Sequence, residues 1–152
     1  MENFKNAIQS LATLTLFCIL FLVMALSAFA RAGNTDNAII DYGTSDKFSQ
    51  TEIESAVDAV LLKFEKHFKN CRLIKLWYDE EKAIQLTENY FLYSRGMING
   101  INRDNVIFLH SEFHVGSKAC VSLGRNSTIT NWHWTLIREK QTDEWELDDW
   151  GY

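Results

Sequence analysis

The sequence predicts an α+β domain, with helices packed on an antiparallel sheet behind an N-terminal hydrophobic export helix. Three observations carry that prediction. Leu11 to Ala30 is a run of twenty residues without a charge. Segments 49–69 and 80–94 place apolar residues at helical spacing behind strong N-cap signals. Segments 71–78, 106–115, 130–139 and 144–150 are short and rich in β-branched and aromatic residues, as strands are.

The chain has 152 residues, 47% hydrophobic and 23% charged, with a net charge of −5. That size and composition fit one globular domain. At about 5% usage, roughly seven or eight prolines are expected, and there are none. A Pro-rich stalk, a PxxP ligand segment and a prolyl cis switch are thereby excluded. The acidic balance speaks against a nucleic-acid partner, which calls for a basic face.

Taking the elements in order, the uncharged run 11–30 is long enough to span a bilayer as a helix. It ends in Ala28-Phe29-Ala30, the small-x-small pattern of a signal-peptidase site. Residues 1–30 are therefore a signal peptide or a retained N-terminal membrane anchor, and both readings export the remainder. The expected location is secreted or anchored on the outer face of the cytoplasmic membrane, with membrane contact only through residues 11–30. Phe17, directly before Cys18, is too large for a lipoprotein signal. Loss of residues 1–30 removes Glu2 and Lys5, so 14 basic and 19 acidic residues remain and the charge stays at −5.

Residues 31–47 are polar, with Ile39-Ile40 as their one greasy pair, and read as a linker. The domain proper is expected over 48–152. Its first helix has a capping box, Ser49 with Glu52, and a hydrophobic staple, Phe48 with Ile53. Ile53, Val57, Val60, Leu61, Phe64 and Phe68 then form its apolar face. Strand 71–78 follows. Asp79 is the expected N-cap of the second helix, with Glu80 and Glu81 in the first turn and Ala83, Ile84, Thr87, Tyr90 and Phe91 facing inward. Asn99-Gly100 and Asn102-Arg103-Asp104 mark turns. In strand 106–115 the odd positions are apolar enough to face a core, and the even positions are mixed. The last two strands are joined as a hairpin through residues 140–143.

Chemistry-bearing patterns are few. His110, Glu112 and His114 share one strand face, but neighbours two apart are separated by about 6.6 Å and the two histidines by about 13 Å. They do not form a single-ion site, and no metal or cofactor is expected. No nucleophile elbow or glycine-rich phosphate loop is present, so no catalytic residue is assigned. Trp132, Trp134 and Leu136 share one face of a strand, and Trp145 and Leu147 one face of the next. This is the pattern of a packed aromatic core. Trp rings also line ligand pockets, so His133, Trp134 and Trp145 are the candidate ligand-binding residues. After export two cysteines remain, Cys71 and Cys120. They are either buried thiols or one disulfide closing a loop of about fifty residues, worth about 3–4 kcal/mol in the chain-entropy model.

The closing residues Trp132-His133-Trp134-Thr135-Leu136-Ile137-Arg138 and Trp145-Glu146-Leu147-Asp148-Asp149-Trp150-Gly151-Tyr152 resemble the ending of a family of small exported Firmicutes proteins of unknown function. Cys71-Arg72-Leu73, the Leu76–Lys82 segment and the Asn99–Ile107 run resemble it too, so the resemblance spans 40–152. The last strand also resembles that of nuclear transport factor 2-like (cystatin-like) proteins. That resemblance implies a curved antiparallel sheet wrapping a helix into a cone. It brings no catalytic residues with it. The expected function is non-enzymatic binding of a small molecule, peptide or partner protein outside the membrane. The alternative is an extracytoplasmic isomerase- or dehydratase-like enzyme using a His/acid pair in the cone, one of the histidines with Asp148, Asp149 or Glu112.

Overall fold

Helix α1 (Gln50–His67) begins where its first turn is closed by side chains. The Ser49 hydroxyl accepts from the Glu52 backbone N–H at 3.3 Å, and the Ser49 N–H donates to the Glu52 carboxylate at 2.8 Å. Phe48 and Ile53, the two staple residues, are both buried. The capping box and staple read from the sequence are thus both formed. The computed structural model describes residues 32–119 and 121–152. The apolar run 11–30 and Cys120 lie outside the described residues. Among the described residues no helix is long and apolar enough to cross a membrane.

Five strands form one sheet in sequence order: β1 (Ile39–Asp41), β2 (Cys71–Trp77), β3 (Val106–Val115), β4 (Ser127–Ile137) and β5 (Glu146–Gly151). Helix α2 (Glu80–Tyr93) lies between β2 and β3 in the chain, and Asp79 caps it by accepting from the Lys82 N–H at 3.1 Å. β2 to β5 pair antiparallel, whereas β1 pairs parallel to β2, so the sheet is mixed rather than antiparallel.

The parallel strand comes from the segment read as a linker. Gly33–Tyr152 form one compact unit. Within it the Gly33 N–H donates to Glu65 O at 2.9 Å, Asn34 bridges Arg72, and Ile40 packs against the core. A three-residue strand shows no periodicity, and its first residue Ile39 is exposed, so the pair Ile39-Ile40 is too short a signal to reveal pairing.

The two helices lie on opposite faces of the sheet. Phe64 of α1 and its C-cap Phe68 meet Phe113 and Trp134 on the first face, at ring separations of 5.0–6.3 Å among the group. Leu73, Leu76, Leu109 and Leu136 complete this core. On the second face Tyr90 of α2 packs edge-on against Phe108 at 6.0 Å. This explains the burial of β3. Both faces are buried from Val106 to Ser111, although the even positions looked mixed in sequence, because α2 covers Phe108 and His110. Within α2, Ala83 and Tyr90 are buried, while Ile84 is 59% exposed, contrary to expectation. A short helix laid over one end of a sheet face buries only a narrow stripe. The β4–β5 connection is also longer than a four-residue turn. Trp145 lies before β5 and turns onto the N-terminus of α1.

Candidate functional site

Period-two alternation along β4 separates two environments. Trp132, Trp134 and Leu136 point to α1, and His133 and Thr135 point to α2. Between α2 and the second face lies a cleft of about 240 Å³. Leu86, Tyr90 and Tyr93 of α2 form one wall, and Phe108, His133, Thr135 and Asp149 of the sheet form the other. The cross-strand partner of His133 is Gly151, where an added Cβ would meet nothing within 4 Å. A glycine at this register position leaves the space beside the imidazole open.

One wall is held by a polar network. The Tyr90 hydroxyl donates to Asp148 Oδ2 at 2.7 Å and accepts from Asn99 Nδ2 at 2.6 Å. Arg95 pairs with the other Asp148 oxygen at 3.1 Å. Asp148 sits where the β4–β5 register shifts between Thr135 and Leu136. That irregularity lets Asp148 and Asp149, adjacent in sequence, both face the α2 side. Burial, then the hydrogen bond to Asp148, pushes the Tyr90 phenol well above its ordinary range. Asp149 has no ion-pair partner among the described residues, and its carboxylate accepts only the Trp150 N–H, at 2.9 Å.

Burial disfavours the charged form of both His133 and His110 on this face. Burial lowers the pKa of His133, opposed by the Asp149 carboxylate. Its neighbour His110 is more enclosed. It stacks on Trp77 at 5.7 Å, its Nε2 has no hydrogen-bond partner, and burial, reinforced by Lys82, pushes it down to about 4. Glu112 and His114 continue the same face toward the far end of β3, half-buried. Among the described residues no three His, Cys, Asp or Glu side chains are grouped to hold a metal ion.

Of the three candidate ligand-binding residues, His133 lines the cleft and the two tryptophans do not. Trp134 is fully buried on the α1 side, with its Nε1–H donating to Ser111 Oγ at 2.9 Å. Trp145 lies between Phe48, at 5.8 Å, and the Arg138 guanidinium, at 4.1 Å, and its Nε1–H donates to Glu52 O at 3.0 Å. The sequence marks Tyr90 only as an inward-facing helix residue and Asp149 only as one of three acids a histidine could pair with, and it singles out neither Tyr93 nor Thr135. The parity of β4 places Thr135 with His133, but nothing local says that α2 covers that face. Cys71 is buried at the start of β2. Its proposed partner, Cys120, lies outside the described residues.

A second cleft, of about 200 Å³, opens at the N-terminal half of α2 and is lined by charged residues including Lys47, Glu80 and Arg103. Most are engaged: Arg103 pairs with Glu88, Lys47 donates to Arg103 O at 2.6 Å, and Glu80 accepts from Ser45 and Tyr78.

A family model described as a domain of unknown function, DUF4829, matches residues 45–151. The chain belongs to this family. The DUF4829 segment runs from just before α1 to the end of β5, so it contains both helices, four of the five strands and nearly the whole α2 cleft. No curated protein and no solved structure matches the chain.

Proposed function

We propose that this DUF4829 domain is a non-enzymatic binding module that holds a small molecule in the cleft between α2 and the sheet, outside the cytoplasmic membrane. The observation that carries the reading is the cleft itself. Aromatic walls enclose a few convergent polar groups, His133, Thr135 and Asp149, on a rigid sheet. Its volume lies below the roughly 300–1,000 Å³ of drug-sized sites, which suits a compact ligand rather than a peptide. The extracytoplasmic placement rests on the uncharged run 11–30. A kinship with nuclear transport factor 2-like proteins rests on the closing strand. The sheet packed on α1 supports it, and α2 on the opposite face departs from a simple cone.

A fragment screen by ¹H–¹⁵N NMR on the full chain tests the binding reading. Ligands should shift the amides of Tyr93, His133 and Asp149. Asn89 is exposed on α2 at the cleft, so Asn89→Trp should fill it and abolish those shifts without disturbing the core. Hits that scatter over the surface, or that bind the tryptophan variant equally well, would sink the reading.

A second reading, hydrolase-free acid/base catalysis of the isomerase or dehydratase kind, draws on one observation. His133, neutral and able to accept a proton, lines the same cleft as Asp149. Proton exchange into a bound carbonyl compound that His133→Gln abolishes would favour it over simple binding.

A further inference from the structure

Resting on the binding reading above, we propose that the α2 cleft selects an organic cation, an alkylammonium compound of about the size of choline, held against aromatic rings beside the Asp149 carboxylate. The walls include the aromatic side chains of Tyr90, Tyr93 and Phe108, with the His133 ring at 6.2 Å from Phe108. Aromatic faces attract a cation through the ring quadrupole, most strongly when several rings surround it. The charges point the same way. Among the described residues no Lys or Arg lines the cleft. Arg95 is committed to Asp148, and Asp149, which lines the cleft, has no ion-pair partner among the described residues. His133 adds no positive charge at neutral pH, because burial disfavours its protonated form. An anion would meet a carboxylate and no cation. A neutral ligand would leave the charge of Asp149 unused.

The other cleft offers a contrast that sharpens the assignment. Lys47 and Arg103 line it together with acids, so its charges are largely internally compensated. Among the described residues, the cleft at His133 differs in having rings and a carboxylate with no Lys or Arg in its lining.

The test titrates the full chain, in non-ionic detergent, with three probes of the same shape and follows the cleft amides by NMR. The probes are choline, its uncharged isostere 3,3-dimethylbutan-1-ol, and the anionic 3,3-dimethylbutyrate. Cation–π attraction and a solvent-exposed ion pair together should favour choline over the alcohol by about tenfold. Asp149→Asn and Tyr93→Leu, both at exposed positions, should each narrow that ratio by about threefold or more. Equal binding of choline and the alcohol, or tighter binding of the butyrate, overturns the cation assignment and leaves the cleft a binding site. Absence of cleft shifts with choline overturns it too. The fragment screen then separates the two failures, since cleft ligands found there keep the binding reading while their absence removes both.

Discussion

Acid should weaken this fold through His110, by an amount that can be worked out. The imidazole is buried against Trp77, its Nε2 meets no acceptor, and its pKa falls to about 4. In the unfolded chain it returns to about 6.5. At pH 7 both states are neutral and the group contributes no difference. As pH falls below 6.5 the unfolded chain takes up a proton that the folded one refuses, so stability drops until pH reaches about 4. The full loss is about 3 kcal/mol, of which about 2 kcal/mol is gone by pH 5. His133, lowered in the same direction, adds to the loss in wild type and variant alike. Asp79 and Glu52, held below the ordinary carboxylate range, lose their contributions only at lower pH. Replacing His110 with Phe keeps a ring against Trp77 and removes the proton site. Urea denaturation followed by tryptophan fluorescence at pH 7 and pH 5 reads the difference. His110→Phe should lose about 2 kcal/mol less than wild type between the two. An unchanged loss would refute the reasoning, because it would mean that the folded protein protonates His110 as readily as the unfolded chain does.

Three further perturbations test the packing. Ser111→Ala should cost about 1–3 kcal/mol, because it leaves the buried Trp134 N–H without its acceptor; adding Trp134→Phe should cost less than the sum of the two single changes. Glu52→Ala should destabilise by about 3 kcal/mol or more, since Arg138, with its side chain 2% exposed, loses the carboxylate 2.5 Å away. The double variant with Arg138→Met should recover much of that loss, whereas Ser49→Ala, which removes the cap alone, should cost only about 1 kcal/mol. Gly33→Ala should destabilise by about 1–3 kcal/mol in the same denaturation assay, because its Cβ would press into the Phe64 carbonyl; a neutral result would detach residues 33–41 from the domain.

Local chemistry was legible where each signal and its partner lie a few residues apart. Ser49 and Glu52 close the first turn of α1, Asp79 closes that of α2, and β3 runs over the ten residues its composition marked. The alternation of β4 likewise placed three apolar side chains on one face. Rings alone do not mark the site, since Trp134 and Trp145 have the composition of a pocket and the contacts of a core. A tryptophan on a strand looks the same in sequence whether a helix or a ligand covers it.

The sequence by itself determined the α+β class, the two capped helices, four of the five strands and the apolar face of α1, because caps and periodicities act within one or two turns of chain. Tertiary structure decided that β1 joins as a parallel edge, that α2 lies on the face opposite α1, and that His133 and Asp149 share a cleft. Those outcomes depend on partners far apart in the chain: Tyr90 meets Asp148 across 58 residues, and Arg138 meets Glu52 across 86. No local pattern records such a meeting. It follows from which sheet face each helix can bury, and that choice is made only when the whole core packs.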